Sequence, residues 1–60
     1  MLIMYRGYEL VPVKEGEKWQ AQIFSGGRRI TTTVPFALEE LATAEAKKIA
    51  DEIRSPRRSA

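Results

Sequence analysis

The chain has 60 residues, with ten Lys or Arg against eight Asp or Glu, and it contains neither Cys nor His. A chain of this length buries only about 60% of its unfolded surface, so it forms one small domain at most. Without Cys it has no disulfide, thiolate zinc site or redox pair, and without His it lacks the commonest general base. We therefore expect a protein that is not an enzyme and that uses no cofactor, metal or small-molecule substrate.

The N-terminal residues argue against export and membrane insertion. Four apolar residues are followed at once by Tyr5 and Arg6, whereas a signal peptide has a basic region and then roughly 7–15 apolar residues. No stretch of the sequence approaches the ~20 apolar residues of a membrane-spanning helix. The expected location is the cytoplasm.

Two segments with strand character come first in the chain. Residues 8–13 are rich in aromatic and β-branched side chains, and Pro12, which donates no backbone hydrogen bond, places this strand at a sheet edge or ends it there. Residues 14–18 are polar around a central glycine and predict a hairpin loop of about four or five residues. Residues 19–24 alternate apolar and polar side chains, which is typical of a half-buried strand.

A third strand and a helix follow. Gly26 and Gly27 supply the positive φ angles of a two-residue hairpin turn, and residues 29–34 are almost all β-branched. Pro35 ends this strand, and residues 37–54 are rich in the helix formers Ala, Leu, Glu and Lys. An apolar stripe at helical spacing predicts the face that packs on the sheet: Leu38, Leu41, Ala42, Ala46, Ile49 and Ile53.

The helix start is left open between Ala37, with Pro35 in or near the first turn, and Thr43 as an N-cap. The helix ends before Pro56, because a residue that precedes proline disfavours the α conformation. Residues 55–60 are predicted to form a disordered basic tail.

Together these elements predict an α+β fold in two layers: a three-stranded antiparallel β-meander packed on one C-terminal α-helix (β-β-β-α), in a single domain over residues 1–54. Alternation assigns one set of strand residues to the helix side: Tyr8, Leu10, Trp19, Ala21, Ile23, Ile30, Thr32 and Val34. It assigns another set to the opposite face, here called the open face: Glu9, Val11, Val13, Gln20, Gln22, Phe24, Arg29, Thr31 and Thr33. Because one helix covers only one face of a sheet, the open face is left to solvent or to a partner.

The candidate binding residues lie on and beside the open face: Gln20, Gln22, Arg28, Arg29, Thr31 and Thr33. Arg pairs well with guanine and Gln with adenine, and a small antiparallel sheet can enter a major groove, so this set suggests contact with DNA or RNA. The alternative interpretation is an ordinary solvated sheet face. The glycine turn with its two arginines also suggests an anion-binding loop, but it leads from strand to strand, which favours a plain hairpin turn.

Two further features have a structural interpretation that outweighs the functional one. Trp19 suits a stacking platform for a base, yet its register with Ala21 and Ile23 favours the core. The helix carries five acidic residues, which suit acid–base chemistry only if they are buried or paired closely with like charge, so a solvated polar face is favoured. These residues are Glu39, Glu40, Glu45, Asp51 and Glu52.

A pattern of spaced residues runs through the predicted elements: Tyr5-x-x-Tyr8, Trp19-x-Ala21-x-Ile23, Gly27 before a β-branched strand, and Ile49-Ala50-Asp51-Glu52-Ile53 near the helix end. It resembles a group of short uncharacterised bacterial β-β-β-α proteins and the sheet-and-helix half of HicB-type antitoxins. More distantly it is similar to the three-stranded arm-binding domains of tyrosine recombinases and to the plant AP2 domain. The first of these named families implies an antitoxin role, and the other two imply DNA recognition through the sheet.

Two functional hypotheses follow. The first is a small binding module that docks through its open face or an edge strand, as a homodimer or on a protein partner. The second is nucleic-acid binding through Arg28 and Arg29, aided by the arginine-rich tail. Residues 1–53 carry seven basic and eight acidic side chains, and the other three arginines fall in residues 54–60. Since the net charge of +2 comes from the tail, the first hypothesis is preferred.

Overall fold

A computed structural model describes residues 2–54 of the chain. Four strands precede one helix: β1 (Ile3–Tyr5), β2 (Tyr8–Glu15), β3 (Lys18–Ser25), β4 (Arg28–Thr32) and α1 (Glu39–Arg54). The strands form one antiparallel sheet in the order β1-β2-β3-β4, and α1 packs chiefly on β2 and β3. The predicted α+β class is confirmed, but the prediction of three strands is wrong because β1 was missed. The predicted tail at residues 55–60 lies outside the described residues.

The first hairpin has a tight turn with an unusual residue in it. Tyr5 pairs with Tyr8, so Arg6 and Gly7 alone form the turn. Both have positive φ, 52° and 85°, as a type I′ turn requires. Arginine is uncommon in that conformation, and the strand before it has only three residues. The local sequence therefore gave no pattern that predicts a strand there.

The second hairpin is tighter than the predicted loop of about four or five residues. Glu15 pairs with Lys18, which leaves only Gly16 and Glu17 in the turn, with Gly16 at φ 63°. A glycine at the first turn position with positive φ allows the strands to continue to the turn. The predicted loop was wrong because charged residues at its ends are compatible with an exposed strand end.

Pro12 lies inside β2, where its lack of an N–H removes no bond to β3. It pairs with Ala21, whose own N–H and C=O are used by Thr33 on the other side. Antiparallel pairs alternate in this way, so the nitrogen of Pro12 points away from β3, toward the side of β1. The pairing of β1 with β2 ends at Leu10, two residues earlier. Pro12 therefore lies where β2 is free on that side, as its chemistry requires. The prediction that the strand is an edge strand or ends at Pro12 is wrong, because β2 lies between β1 and β3 and continues to Glu15.

A β-bulge interrupts the pairing of β3 with β4. Phe24 pairs with Arg29 and Ile23 pairs with Thr31, so Ile30 is an extra residue and is 43% exposed. One inserted residue reverses the alternation that follows it. The predicted face assignments are therefore wrong beyond Arg29: Thr31 shares the helix side with Ile23, and Thr32 pairs with Gln22 on the open face. Val34, predicted in the strand and on the helix side, lies after β4 and is 64% exposed.

The chain stays beside β3 after β4 ends. Trp19 and Phe36 exchange two backbone hydrogen bonds, with N···O distances of 2.6 and 2.7 Å. Trp19 and Phe36 are both half-buried and pack against the core, while Lys14 Nζ lies 5.9 Å from the centroid of the Trp19 ring. The prediction that Trp19 belongs to the core side is confirmed.

The contact between helix and sheet is built on alanines. Ala42, Ala46 and Ala50, spaced four residues apart, are fully buried, and the first two pack with the buried strand residues Leu10, Ala21 and Ile23. Small side chains let the helix backbone approach the sheet closely.

The helix begins at Glu39, between the two starts considered, and the larger members of the predicted stripe lie beside its contact with the sheet. Leu38, Leu41 and Ile53 are 54%, 48% and 39% exposed, and only Ile49 packs partly on the core. Within residues 2–54, no helix has the length and apolar character needed to cross a bilayer.

A candidate binding face

The open face is an array of cross-strand rows. One row crosses all four strands through Met4, Glu9, Phe24 and Arg29. Three further rows follow along the strands. The first contains Val11, Gln22 and Thr32, the second contains Val13 and Gln20, and the third, beside the second turn, contains Glu15 and Lys18. No element among residues 2–54 packs on this face, because α1 lies on the other side.

Apolar side chains are concentrated toward the β1 and β2 side of this face. Met4 is 62% exposed, and Leu2, one residue before β1, is 54% exposed. Val11, Val13 and Phe24 are half-buried among their neighbours in the sheet. Exposed apolar side chains scattered singly are normal on a soluble domain, whereas a contiguous group such as this one suits contact with another surface.

The charges of the open face balance. Glu9 and Glu15 on β2 stand against Lys18 on β3 and Arg29 on β4. Glu9 and Arg29 lie in the same row on either side of Phe24, two strands apart. That separation is about 10 Å, and neither residue forms a salt bridge with another described residue. An acid and a base are thus held at fixed places on a face with no net charge.

The structure brings together only part of the predicted site. Gln20, Gln22 and Arg29 lie on the open face. Arg28 pairs with Ser25 beside the turn, so it lies on the opposite side of the sheet from Arg29. Thr31 lies on the helix side beside Ile23. Both arginines are exposed, but only Arg29 shares the open face with the two glutamines.

Thr33, the last of the predicted site residues, is buried rather than presented to solvent, with 3% exposure. Its hydroxyl oxygen accepts a hydrogen bond from the Ala21 N–H at 3.1 Å and donates to the Val34 carbonyl at 2.9 Å. Its own N–H bonds to the Ala21 carbonyl at 3.0 Å, and its carbonyl accepts from Gln20 Nε2 at 3.3 Å. Thr33 therefore continues the pairing with β3 just beyond the end of β4.

A cluster of polar side chains that the sequence analysis did not predict joins the first turn to the helix; its members are Tyr5, Arg6, Lys47 and Asp51. The Tyr5 hydroxyl donates to the Asp51 carboxylate, 3.1 Å from each oxygen, and Arg6 Nε lies 2.7 Å from Asp51 Oδ1. Lys47 Nζ lies 5.5 Å from the centroid of the Tyr5 ring. The side-chain interaction with Tyr5, followed by the charge of Asp51, raises the pKa of Arg6 above its ordinary value. Asp51 thus anchors β1 rather than belonging to a purely solvated face.

A groove of about 360 Å³ lies between β1 and the first half of α1. Ile3, Thr43, Ala44 and Lys47 line it, together with the two acidic residues that open the helix, Glu39 and Glu40. The described part of the chain holds no group of three or more acidic residues placed to bind a metal ion. The groove is open to solvent and most of its lining surface is apolar, so the open face, with its cross-strand row of charges, remains the stronger candidate.

Comparison with protein-family models, with curated proteins and with solved structures finds no significant match. The resemblances to HicB-type antitoxins, to recombinase arm-binding domains and to the plant AP2 domain therefore stay predictions.

Proposed function

We propose that this protein is a non-enzymatic interaction module whose open face docks on another protein surface. The observation that carries the proposal is a sheet face that no element of residues 2–54 covers, on which apolar side chains are contiguous and the charges cancel. Protein interfaces are about as apolar as the surface as a whole and are enriched in aromatic residues, Met and Arg, and this face presents Met4, Phe24 and Arg29 in one row. A nucleic-acid interface would instead concentrate positive charge.

Nucleic-acid binding is the second candidate, and the exposure of Arg28 and Arg29 beside the Gly26-Gly27 turn favours it. It predicts that duplex DNA at about 50 mM salt changes the fluorescence anisotropy of the protein, and that replacement of both arginines by alanine weakens this binding. The two acidic residues on the open face oppose it, because they face the phosphates that Arg29 would approach.

The docking proposal is tested with a photo-crosslinking amino acid placed in the protein within its native cells. Position 24, in the middle of the open face, is compared with position 44, an exposed alanine on the helix. We expect protein adducts from position 24 and few from position 44, because only the first lies on the proposed interface. Mass spectrometry then identifies each adduct as the same chain or another protein.

The same experiment distinguishes the two candidates. Adducts that disappear on nuclease treatment would support nucleic-acid binding in place of docking on a protein. Equal yields from positions 24 and 44, or no adduct from position 24, would contradict a specific role for the open face.

A further inference from the structure

We infer that the open face docks on a second copy of this chain, with the two sheets face to face about a two-fold axis that runs along β3. This inference rests on the proposed function, since it names the partner of the same face. It is carried by the positions of Glu9 and Arg29 on either side of Phe24, two charges that form no salt bridge with another of residues 2–54.

The pairing registers determine what such an axis brings together. A two-fold axis parallel to β3 leaves β3 opposite itself and places β2 of one protomer opposite β4 of its partner. Residues of one cross-strand row stay at the same height along that axis. Since Glu9, Phe24 and Arg29 share a row on β2, β3 and β4, Phe24 meets its own symmetry mate and Glu9 meets the partner's Arg29. By symmetry the ion pair forms twice.

The ordinary twist of packed sheets does not disrupt this match. Facing sheets lie about 10 Å apart and are rotated by about 30°, and neighbouring strands are about 4.8 Å apart. A residue one strand from the axis is therefore displaced by only about 2 to 3 Å relative to its counterpart. Glu and Arg side chains are long and flexible enough to absorb that offset.

The next row is compatible with the same arrangement. Gln22 on β3 meets its own mate, and a primary amide both donates and accepts hydrogen bonds, so it can pair with a copy of itself. Val11 on β2 meets the partner's Thr32, whose methyl group can pack on it.

The charge pattern also argues against the other simple arrangement. A two-fold axis along the row, across the strands, would place Glu9 opposite Glu9 and Arg29 opposite Arg29. Like charges facing each other in an interface are repulsive and disfavour that geometry. Lys18 also lies on the axis along β3, but its cross-strand neighbour Glu15 offsets its charge. The row of Glu9 and Arg29 therefore favours the axis along β3.

The test is a charge swap followed by analytical ultracentrifugation. We compare the unaltered chain with Glu9→Arg, with Arg29→Glu and with the double variant that carries both changes. Each single reversal places two like charges together twice and is expected to raise the dimer dissociation constant about tenfold or more. The double variant restores both pairs with their signs exchanged, and we expect its dissociation constant within about threefold of the unaltered value.

A matched control is Lys48→Glu, a reversal at an exposed helix position away from the open face, which should leave dimerisation unchanged. Circular dichroism and urea unfolding check that each variant is folded. If a reversal unfolds the chain, Glu9→Gln and Arg29→Gln replace it. These remove each charge without repulsion and are expected to weaken the dimer about threefold.

A chain that stays monomeric up to about 1 mM would overturn the inference, since specific protein pairs associate below that concentration. It would also be overturned if the double variant dimerised as weakly as the single ones, or if the single reversals had no effect. The proposed function has a separate failure, the absence of adducts from position 24. A monomeric chain that still crosslinks there to a different protein retains the proposed function and loses the homodimer.

Discussion

At the scale of the residue, two polar side chains make contacts between elements that strand and helix patterns do not predict. Asp51 accepts from Tyr5 and pairs with Arg6, which ties the first hairpin to the helix across 46 residues of sequence. Thr33 supplies a hydroxyl where β4 has ended. Alternation along the strand assigned Thr33 to the open face as a candidate binding residue, and Asp51 was assigned with four glutamates to a solvated polar face of the helix.

Replacement of Tyr5 by phenylalanine removes only the hydroxyl that bonds to Asp51. A hydrogen bond to a charged group contributes somewhat more than a neutral one, and this one is partly exposed, so we expect a loss of about 1 kcal/mol in the free energy of unfolding. Urea denaturation measures it. Tyr8→Phe is the control, since Tyr8 is also half-buried and its hydroxyl has no hydrogen-bond partner among residues 2–54. Equal losses in the two variants would contradict an anchoring role for Tyr5.

Replacement of Thr33 by valine keeps the shape of the side chain and removes its hydroxyl. The Ala21 N–H then loses its partner in a buried place, and we expect the free energy of unfolding to fall by about 2 kcal/mol. Thr33→Ser retains the hydroxyl and should cost less. Thr31→Val, at a half-buried threonine on the same side of the sheet as Thr33, is a matched control that should change stability little. A neutral Thr33→Val variant would show that the hydroxyl adds no stability there.

At the scale of the element, the helix is placed by its small residues rather than its large ones. Ala42, Ala46 and Ala50 form the buried line, and Leu38 and Leu41 remain about half exposed beside it. Hydrophobicity alone ranks leucine above alanine, so the sequence pattern predicted the right element but centred its buried face incorrectly. Similarly, the bulge at Ile30 is one extra residue in a strand whose alternation is otherwise unbroken, and its effect is visible only in the pairing with β3.

Replacement of Ala46 by leucine inserts a large side chain where the helix meets the sheet. Overpacking of a close contact typically costs about 1–3 kcal/mol, and we expect a loss in the free energy of unfolding of that size, measured by thermal or urea unfolding. Ala44→Leu places the same side chain at an exposed position of the same helix and should change stability by less than about 0.5 kcal/mol. If both variants were equally stable, the helix would not be held close by its alanines.

At the scale of the whole molecule, one helix packs on a sheet of four strands within residues 2–54. Its contacts favour β2 and β3, and the largest fully buried side chains among residues 2–54 are Leu10 and Ile23. A domain of this size has a small core, so burial of its open face against a second copy would add to its stability. The same face therefore connects stability with the proposed function.

A homodimer makes the melting temperature depend on protein concentration, because association stabilises only the folded chain. We expect the melting temperature of the unaltered protein to rise by several degrees between about 10 and about 500 µM, as mass action requires. Differential scanning calorimetry measures this, with Glu9→Arg as the variant that should show a smaller rise. A melting temperature that does not change over this range would contradict the dimer.

The sequence by itself determined the class of the fold, three of the four strands, the helix and the exposed glycine turn at Gly26-Gly27. These follow from local causes: residue propensities, alternation, and the backbone freedom of glycine. Tertiary structure alone decided the remainder. It added β1, whose stability depends on pairing with β2 and on Asp51, and it reversed the faces beyond the bulge, which moved Thr31 and buried Thr33. It also placed Glu9, Phe24 and Arg29 in one row. The register between two strands depends on residues that are distant in sequence, so it cannot be read from any one segment.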